Sequence, residues 1–263
     1  MTVRQPLTVA HTARAIRPGE VVVLTIRGAA APVGVRAFGS EWPAFRAGDD
    51  TWRALVGIDL EIKPGSYNVA VTSGDARTSH PLVVTAKQFP TRRLSVDPAL
   101  VIPPEEERER IERESRELEA AWAASPRDRL WSADFVRPVP DPANSAFGAH
   151  SVYNGKTTSR HGGADFLSPA GRPVKAPNAG RVVIAGARYF SGNTVVIDHG
   201  QGLFSLLAHL TKIEVKVGDT VSAGDEVGTV GATGRVTGPH LHWAVRLNGA
   251  RVDPLSLLSA LGG

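Results

Sequence analysis

Turn-forming residues recur so often in this sequence that long continuous elements have little room to form. The 263 residues include 27 Gly and 19 Pro, and between them lie short runs rich in β-branched side chains, which suit strands better than helices. Glu20 to Ile26, Val33 to Phe38, Tyr67 to Thr72 and Leu82 to Ala86 are such runs in the first part of the chain. Arg17-Pro18-Gly19 and Lys63-Pro64-Gly65 punctuate them as tight turns, because Pro presets one backbone angle and Gly accepts the left-handed one. Tyr67, Val69 and Val71 fall on one face at the two-residue period of a strand. The pattern predicts an antiparallel β-sandwich over residues 1–88. His11 and His80 stand apart from each other there and read as ordinary structural or surface residues.

One segment breaks the pattern. After Pro103 and Pro104, the stretch Glu105 to Glu119 holds eight Glu and four Arg, a helix start followed by a solvated helix. Glu106 and Arg110, Glu109 and Arg113, and Glu112 and Arg116 are spaced to pair along its surface. Ile111, Leu118 and Trp122 form a thin apolar stripe fit to rest on a neighbouring domain. A connector helix is predicted over 105–124, within a linker spanning 89–142. Pro126 stops the helix, and Pro138, Pro140 and Pro142 mark an extended stretch beyond it.

Residues 143–263 again read as strands: Arg181 to Ala185, Thr194 to Asp198, Gly202 to Leu207, Glu214 to Val217, Glu226 to Val230 and His242 to Leu247. The fold class is therefore all-β, two strand-rich regions joined by one charged helix. No apolar run approaches the roughly 18 to 20 residues that cross a bilayer as a helix, so no transmembrane segment is expected. Met1 to Pro6 contain no apolar signal core, so the expectation is either a cytoplasmic chain or one whose leader was removed.

Six of the eight histidines lie in the last region. With no cysteine anywhere, disulfide scaffolds, thiolate metal sites and cysteine nucleophiles are excluded, and any metal must be held by His and carboxylate. His161-Gly162-Gly163-Ala164-Asp165 sets a His and an Asp four apart around two glycines. In His240-Leu241-His242-Trp243 the two imidazoles share one strand face, while Leu241 and Trp243 point to the other. In Leu207-Ala208-His209-Leu210 a single His ends an apolar strand. Four histidines and one aspartate suit a catalytic zinc site of two His, one carboxylate and water, and also suit iron or manganese. No HExxH helix, GxSxG elbow or dinucleotide fingerprint is present.

These motifs, in this order, resemble the lysostaphin-like or LytM-type zinc endopeptidases of bacterial peptidoglycan. The resemblance extends through Ser168-Pro169-Ala170-Gly171, Gly192-Asn193-Thr194, Asp198-His199-Gly200, Val217-Gly218-Asp219 and Asp253-Pro254, covering about residues 144–258. It implies an antiparallel β-sheet metallopeptidase domain over 143–263, with one Zn2+ held by His161, Asp165 and His242, and with His209 and His240 as catalytic histidines. It implies peptidoglycan peptides as substrate and a periplasmic or secreted location. His199 reads as structural, and Asn154 stands where some latent relatives place a blocking asparagine. His150 and Leu207 depart from the residues relatives often carry, Arg and Tyr. The competing readings are a catalytically silent wall-binding or amidase-regulating relative, and a biotinyl-type carrier hairpin at Val215 to Gly228, which lacks the lysine such a hairpin modifies.

Thirty basic and 26 acidic residues give a net +4, but without Glu105 to Glu119 the remainder holds 26 basic and 18 acidic residues. Two basic regions suit an anionic wall. No aromatic and basic stripe or recognition helix favours nucleic acid. An envelope protein partner could dock through the N-terminal region. The loops Ser145 to Arg160 and Ala187 to Gly192, which would line a substrate groove, carry no readable code for which bond is cut.

Overall fold

The computed structural model describes residues 6–30, 32–94, 101–132, 134–144, 147–155 and 157–262. Met1 to Gln5, and Ser145 of the predicted groove loop, lie outside these.

The first region contains β1 (Thr8–Thr12), β2 (Val21–Arg27), β3 (Val33–Ala37), β4 (Ser40–Trp42), β5 (Ala44–Gly48), β6 (Thr51–Gly57), β7 (Gly65–Ser73) and β8 (Ala76–Val84). They form two antiparallel sheets, ordered β1-β2-β6-β5 and β4-β3-β7-β8. Val69 and Val71 of β7 are fully buried between neighbours that face solvent, as the two-residue period requires. In β2, Val21 to Leu24 are all buried, so both faces of this strand are covered. His11 and His80 are not apart: the edge strands carrying them bring His11 Nδ1 to 2.6 Å from His80 Nε2. Their proximity depends on how the two sheets stack, which no local pattern reports.

A short strand, β9 (Thr91–Leu94), precedes the helix α1 (Arg108–Ala123), whose entry turn is Glu105–Glu107. Leu118, Ala121 and Trp122 of α1 pack on Ile184, Val196 and Phe204, with Trp122 edge-on to Phe204 at 4.7 Å between ring centroids. Ile111 is not part of this cluster. Of the expected ion pairs, Glu112 with Arg116 is present at 3.8 Å. Arg110 instead turns to Glu114 at 2.9 Å and Glu107 at 3.3 Å.

The stretch after Pro126, expected to be an extended linker, has no regular secondary structure but is a bonded strap. Trp131, Phe135 and Val139 are buried. Leu130 N donates to His199 O, Phe135 N to Leu261 O and Val136 N to Pro177 O. Its apolar side chains make it part of the core.

The C-terminal region contains β10 (His150–Tyr153), β11 (Thr157–Arg160), β12 (Gly163–Phe166), β13 (Pro173–Lys175), β14 (Gly180–Arg188), β15 (Gly192–Asp198), β16 (Leu203–Ile213), β17 (Thr220–Val221), β18 (Glu226–Val230), β19 (Leu241–Leu247), β20 (Ala250–Val252) and the helix α2 (Pro254–Leu261). Nine strands make one antiparallel sheet whose spine runs β12-β19-β16-β15-β14-β17. β9 joins β10 in parallel and β11 pairs with β10 antiparallel. The predicted strand Glu214 to Val217 is not one: Lys216 N bonds the Asp219 carboxylate and Asp219 N bonds Lys216 O, closing a turn that Gly218 completes at φ 96°. α2 departs from the expectation of strands throughout this region: Asp253 caps it by accepting from Leu255 N, and Pro254 opens it.

The two strand regions share one core. Val21 N donates to Ser256 Oγ, and Arg251 grips the Asp59 carboxylate through Nε at 3.1 Å and Nη2 at 2.8 Å. Glu20, fully buried, takes two bonds from Arg14, which also reaches Asp253 at 2.7 Å.

Candidate metal centre

β12 lies beside β19 with Asp165 directly opposite His242, so the pleat aims both side chains to one face of the sheet. Leu241 and Trp243, which alternate with the histidine, are fully buried on the other face, as the sequence predicts. His161 stands just before β12 and completes the group. Gly163 is the glycine that matters sterically: a Cβ there would lie 2.4 Å from Trp243 O and 2.8 Å from the His242 ring. At Gly162 an added Cβ meets nothing within 4 Å.

His161 Nε2 and His242 Nδ1 stand 3.0 Å and 2.8 Å from Asp165 Oδ1 and 3.1 Å from each other. Four ligands bonded at about 2.0 to 2.2 Å around a tetrahedral ion would be roughly 3.3 Å apart, so the donor set fits a divalent metal. Two ring nitrogens facing each other across one carboxylate oxygen need a proton or a cation between them. Burial pushes Asp165 upward, but the bonds and charges of His161 and His242 outweigh it and hold the carboxyl well below its usual range.

His240 sits just before β19, bridged to Gly231. Its Nδ1 donates to Gly238 O at 2.9 Å, and its Nε2 lies 3.8 Å from Asp165 Oδ1. His209 does not end a strand; β16 runs on to Ile213. The pairing register shifts around it, and it adopts φ 65°, in the left-handed region. This bulge turns an imidazole from the interior of β16 toward the other histidines, with centroids 4.9 Å from His240 and 5.9 Å from His242. His209 N donates to Ser191 O and Nδ1 to Thr233 O, both at 2.9 Å. Burial, reinforced by His242, lowers its pKa to about 4, so the ring is neutral at pH 7 with Nε2 open to the site.

His199 is fully buried, its Nδ1 donating to Ala179 O and its Nε2 accepting from Ser205 Oγ. Asn154 occupies a left-handed turn position, φ 50°, between β10 and β11. Val215 to Gly228 carries the turn described above and β17. A cavity of about 910 Å3 lies between α1 and β14, and none of the five site residues lines it.

An antiparallel sheet presenting two imidazoles and a carboxylate as donors, with two more imidazoles alongside, defines a candidate metal-dependent hydrolase centre. The model for Peptidase family M23 matches residues 159–254, the span holding all five residues. A crystal structure of a chain from Pseudomonas aeruginosa assigned to peptidase M23 superposes with a TM-score of 0.72 at 36% identity, covering 94% of this chain and 96% of that one. This chain belongs to peptidase family M23. It is similar to the peptidoglycan DD-endopeptidase ShyA of Vibrio cholerae, 43% identical over 100 residues, or 38% of this chain and 23% of that protein. It is also similar to the DD-carboxypeptidase/endopeptidase Mpg of Neisseria meningitidis, 42% identical over 97 residues, 37% of this chain and 22% of that one. The matches thus span under a quarter of those relatives.

Proposed function

We propose that this chain is a zinc endopeptidase that hydrolyses peptide cross-links or stem peptides of bacterial peptidoglycan. The convergence of His161, Asp165 and His242 beside the two histidines carries the reading, and the names of the M23 relatives supply the substrate class. In it, His161, Asp165 and His242 hold one Zn2+. When bound, that ion supplies a Lewis acid that polarises the scissile carbonyl and eases ionisation of water. His209 and His240 each present a lone pair at Nε2, so either can take a proton from the attacking water and return it to the leaving amine. Once protonated, the same nitrogens become donors able to stabilise the oxyanion. Peptidoglycan as substrate places the work in the periplasm or outside the cell. The N-terminal sandwich is the surface open to an envelope partner.

The test is release of peptides from purified peptidoglycan, followed by mass spectrometry to identify the bond cut. Activity that a chelator abolishes and zinc restores is expected. A zinc-loaded, folded wild type that releases nothing overturns the reading in favour of a silent wall-binding relative.

A further inference from the structure

His209 holds a left-handed backbone conformation that an ordinary side chain avoids, so its direction depends on the groups that fasten it. It has two such fastenings: its N–H to Ser191 O, and its Nδ1–H to Thr233 O. Both acceptors belong to one assembly at the tip of the β14–β15 hairpin. Asn193 N donates to Thr233 Oγ1 at 2.9 Å, and Thr233 Oγ1 donates to Leu210 O at 2.8 Å. Arg235 N donates to Phe190 O, and the Arg235 guanidinium lies 4.4 Å from the Phe190 ring centre. At Gly192 a Cβ would lie 2.3 Å from Thr233, so tip and loop touch without a side chain between them.

The tip is in turn held from outside the sheet. Tyr189 N donates to Glu114 Oε2 at 2.8 Å, and the nearly buried Arg188 donates to Glu114 O at 2.9 Å and to Glu117 Oε2 at 2.8 Å. Arg110 steadies the Glu114 carboxylate through Oε1. Glu114 thus binds the hairpin through both its side chain and its backbone. A merely solvated connector helix would have no use for a carboxylate aimed at a strand-end N–H.

We infer that Glu114 is a positioning residue for His209: the helix α1 braces the hairpin tip whose carbonyl groups set the direction of that imidazole. The inference rests on the catalytic reading of His209 above. It makes α1 part of the working unit, so a substitution or a partner that lifts the helix from β14 would lower turnover without touching the metal ligands.

The experiment compares Glu114→Ala, Glu114→Gln and Arg116→Ala in the full chain, with metal content, kcat, KM on a cross-linked peptide and hydrogen exchange measured together. Glu114→Ala is expected to retain one metal per chain, to lose kcat about 10-fold with KM changed less than about 2-fold, and to exchange faster at residues 188–192 and 209. Glu114→Gln keeps an oxygen for Tyr189 N and should recover most of kcat. Arg116→Ala removes only the exposed pair with Glu112 and should resemble the wild type. Unchanged exchange at the tip and at His209 in a folded Glu114→Ala overturns the brace even if no activity is ever found; unchanged kcat with full metal does so as well. A wild type inactive on peptidoglycan counts against the enzymatic reading alone, because exchange reports the brace independently.

Discussion

Glu20 and Asp165 are both carboxylates withdrawn from water and both are held below their usual pKa range, yet they keep different company. Glu20 is fully buried at the junction of the two strand regions, with Arg14 at 3.0 Å, Arg17 at 3.4 Å and Lys87 at 3.8 Å. Burial raises its pKa, and bonds from Arg14 and Ser256 more than reverse that. Its partners carry charge at any physiological pH, so the anion is balanced where it stands. Asp165 has only imidazoles: His242 at 2.8 Å, His161 at 3.0 Å and His240 at 3.8 Å. Imidazoles bring donor nitrogens in place of fixed cations. A carboxylate ringed by fixed cations is architecture, and one ringed by titratable nitrogens is left to be completed by an ion.

The histidine pairs differ in the same way. His11 and His80 have centroids 4.9 Å apart at 68° between planes, close to the 4.8 Å and 73° of His161 and His242. Ring geometry alone therefore does not distinguish a surface pair from a metal centre. Among the described residues, the His161, Asp165 and His242 group is the one set of three donors drawn close enough to share an ion.

Breaking the Asp165 side of the comparison should have the largest effect. Asp165→Ala, like His161→Ala and His242→Ala, is expected to abolish both metal content and peptide release; a variant that keeps one zinc per chain by mass spectrometry contradicts the assignment. Next in size, His209→Ala and His240→Ala should retain most of the zinc and lose turnover by about 10²- to 10⁴-fold. Full activity in His240→Ala removes it from the mechanism. On the Glu20 side, Glu20→Ala leaves Arg14 and Lys87 short of their partner and should cost about 3 kcal/mol in urea unfolding, the low end for a broken buried pair because Arg14 keeps Asp253. Metal content should be untouched, and a loss of zinc from the folded protein would show that the two regions are less separate than their chemistry suggests.

The last prediction is a pH dependence of stability to which His199 contributes. Burial lowers its pKa to about 4, against an ordinary value of 6.5. The unfolded chain then binds a proton that the folded one refuses, so the contribution is complete above about pH 6.5 and is lost as pH falls toward 4. Glu20, lowered from 4.5, acts in the next window: its contribution is present above that value and lost below it. Urea unfolding in pH steps should show stability falling from about pH 6.5 downward, and His199→Gln should lessen that decline while the share of His209, lowered to about 4 in the same way, remains. A flat profile from pH 7 to 5 in the wild type would contradict it.

Much of this site is legible in the sequence because its signals are local. His240 and His242 share a face through the strand period, and the partners of that period, Leu241 and Trp243, are the core. Other parts depend on relations no short window contains. The bulge that turns His209 is set by pairing between β15 and β16, and the meeting of His11 with His80 by the stacking of two sheets. The strap after Pro126 is hidden by its prolines, whose spacing suggests extension whether or not a chain is packed; Trp131 and Phe135 are the residues that betray it. Glu20 sits at the head of a hydrophobic strand, and nothing in that stretch announces that Arg14 and Ser256 will close over it.

The strap also bears on how the two strand regions are held together. A sandwich on a loose tether would let the metal centre search a volume whose size grew with the tether's length. Here residues 126–142 are tied down by Leu130, Phe135 and Val136, and Gly200 packs so closely on Asp128 that a Cβ would lie 2.1 Å from its carbonyl oxygen. These ties all join the strap to the C-terminal region, and its hold on the sandwich is aromatic: Trp131 stands edge-on to Phe45 of β5 at 5.3 Å between ring centroids. The strap is thus a wedge between the two regions, and lengthening it would loosen a shared core instead of extending a tether.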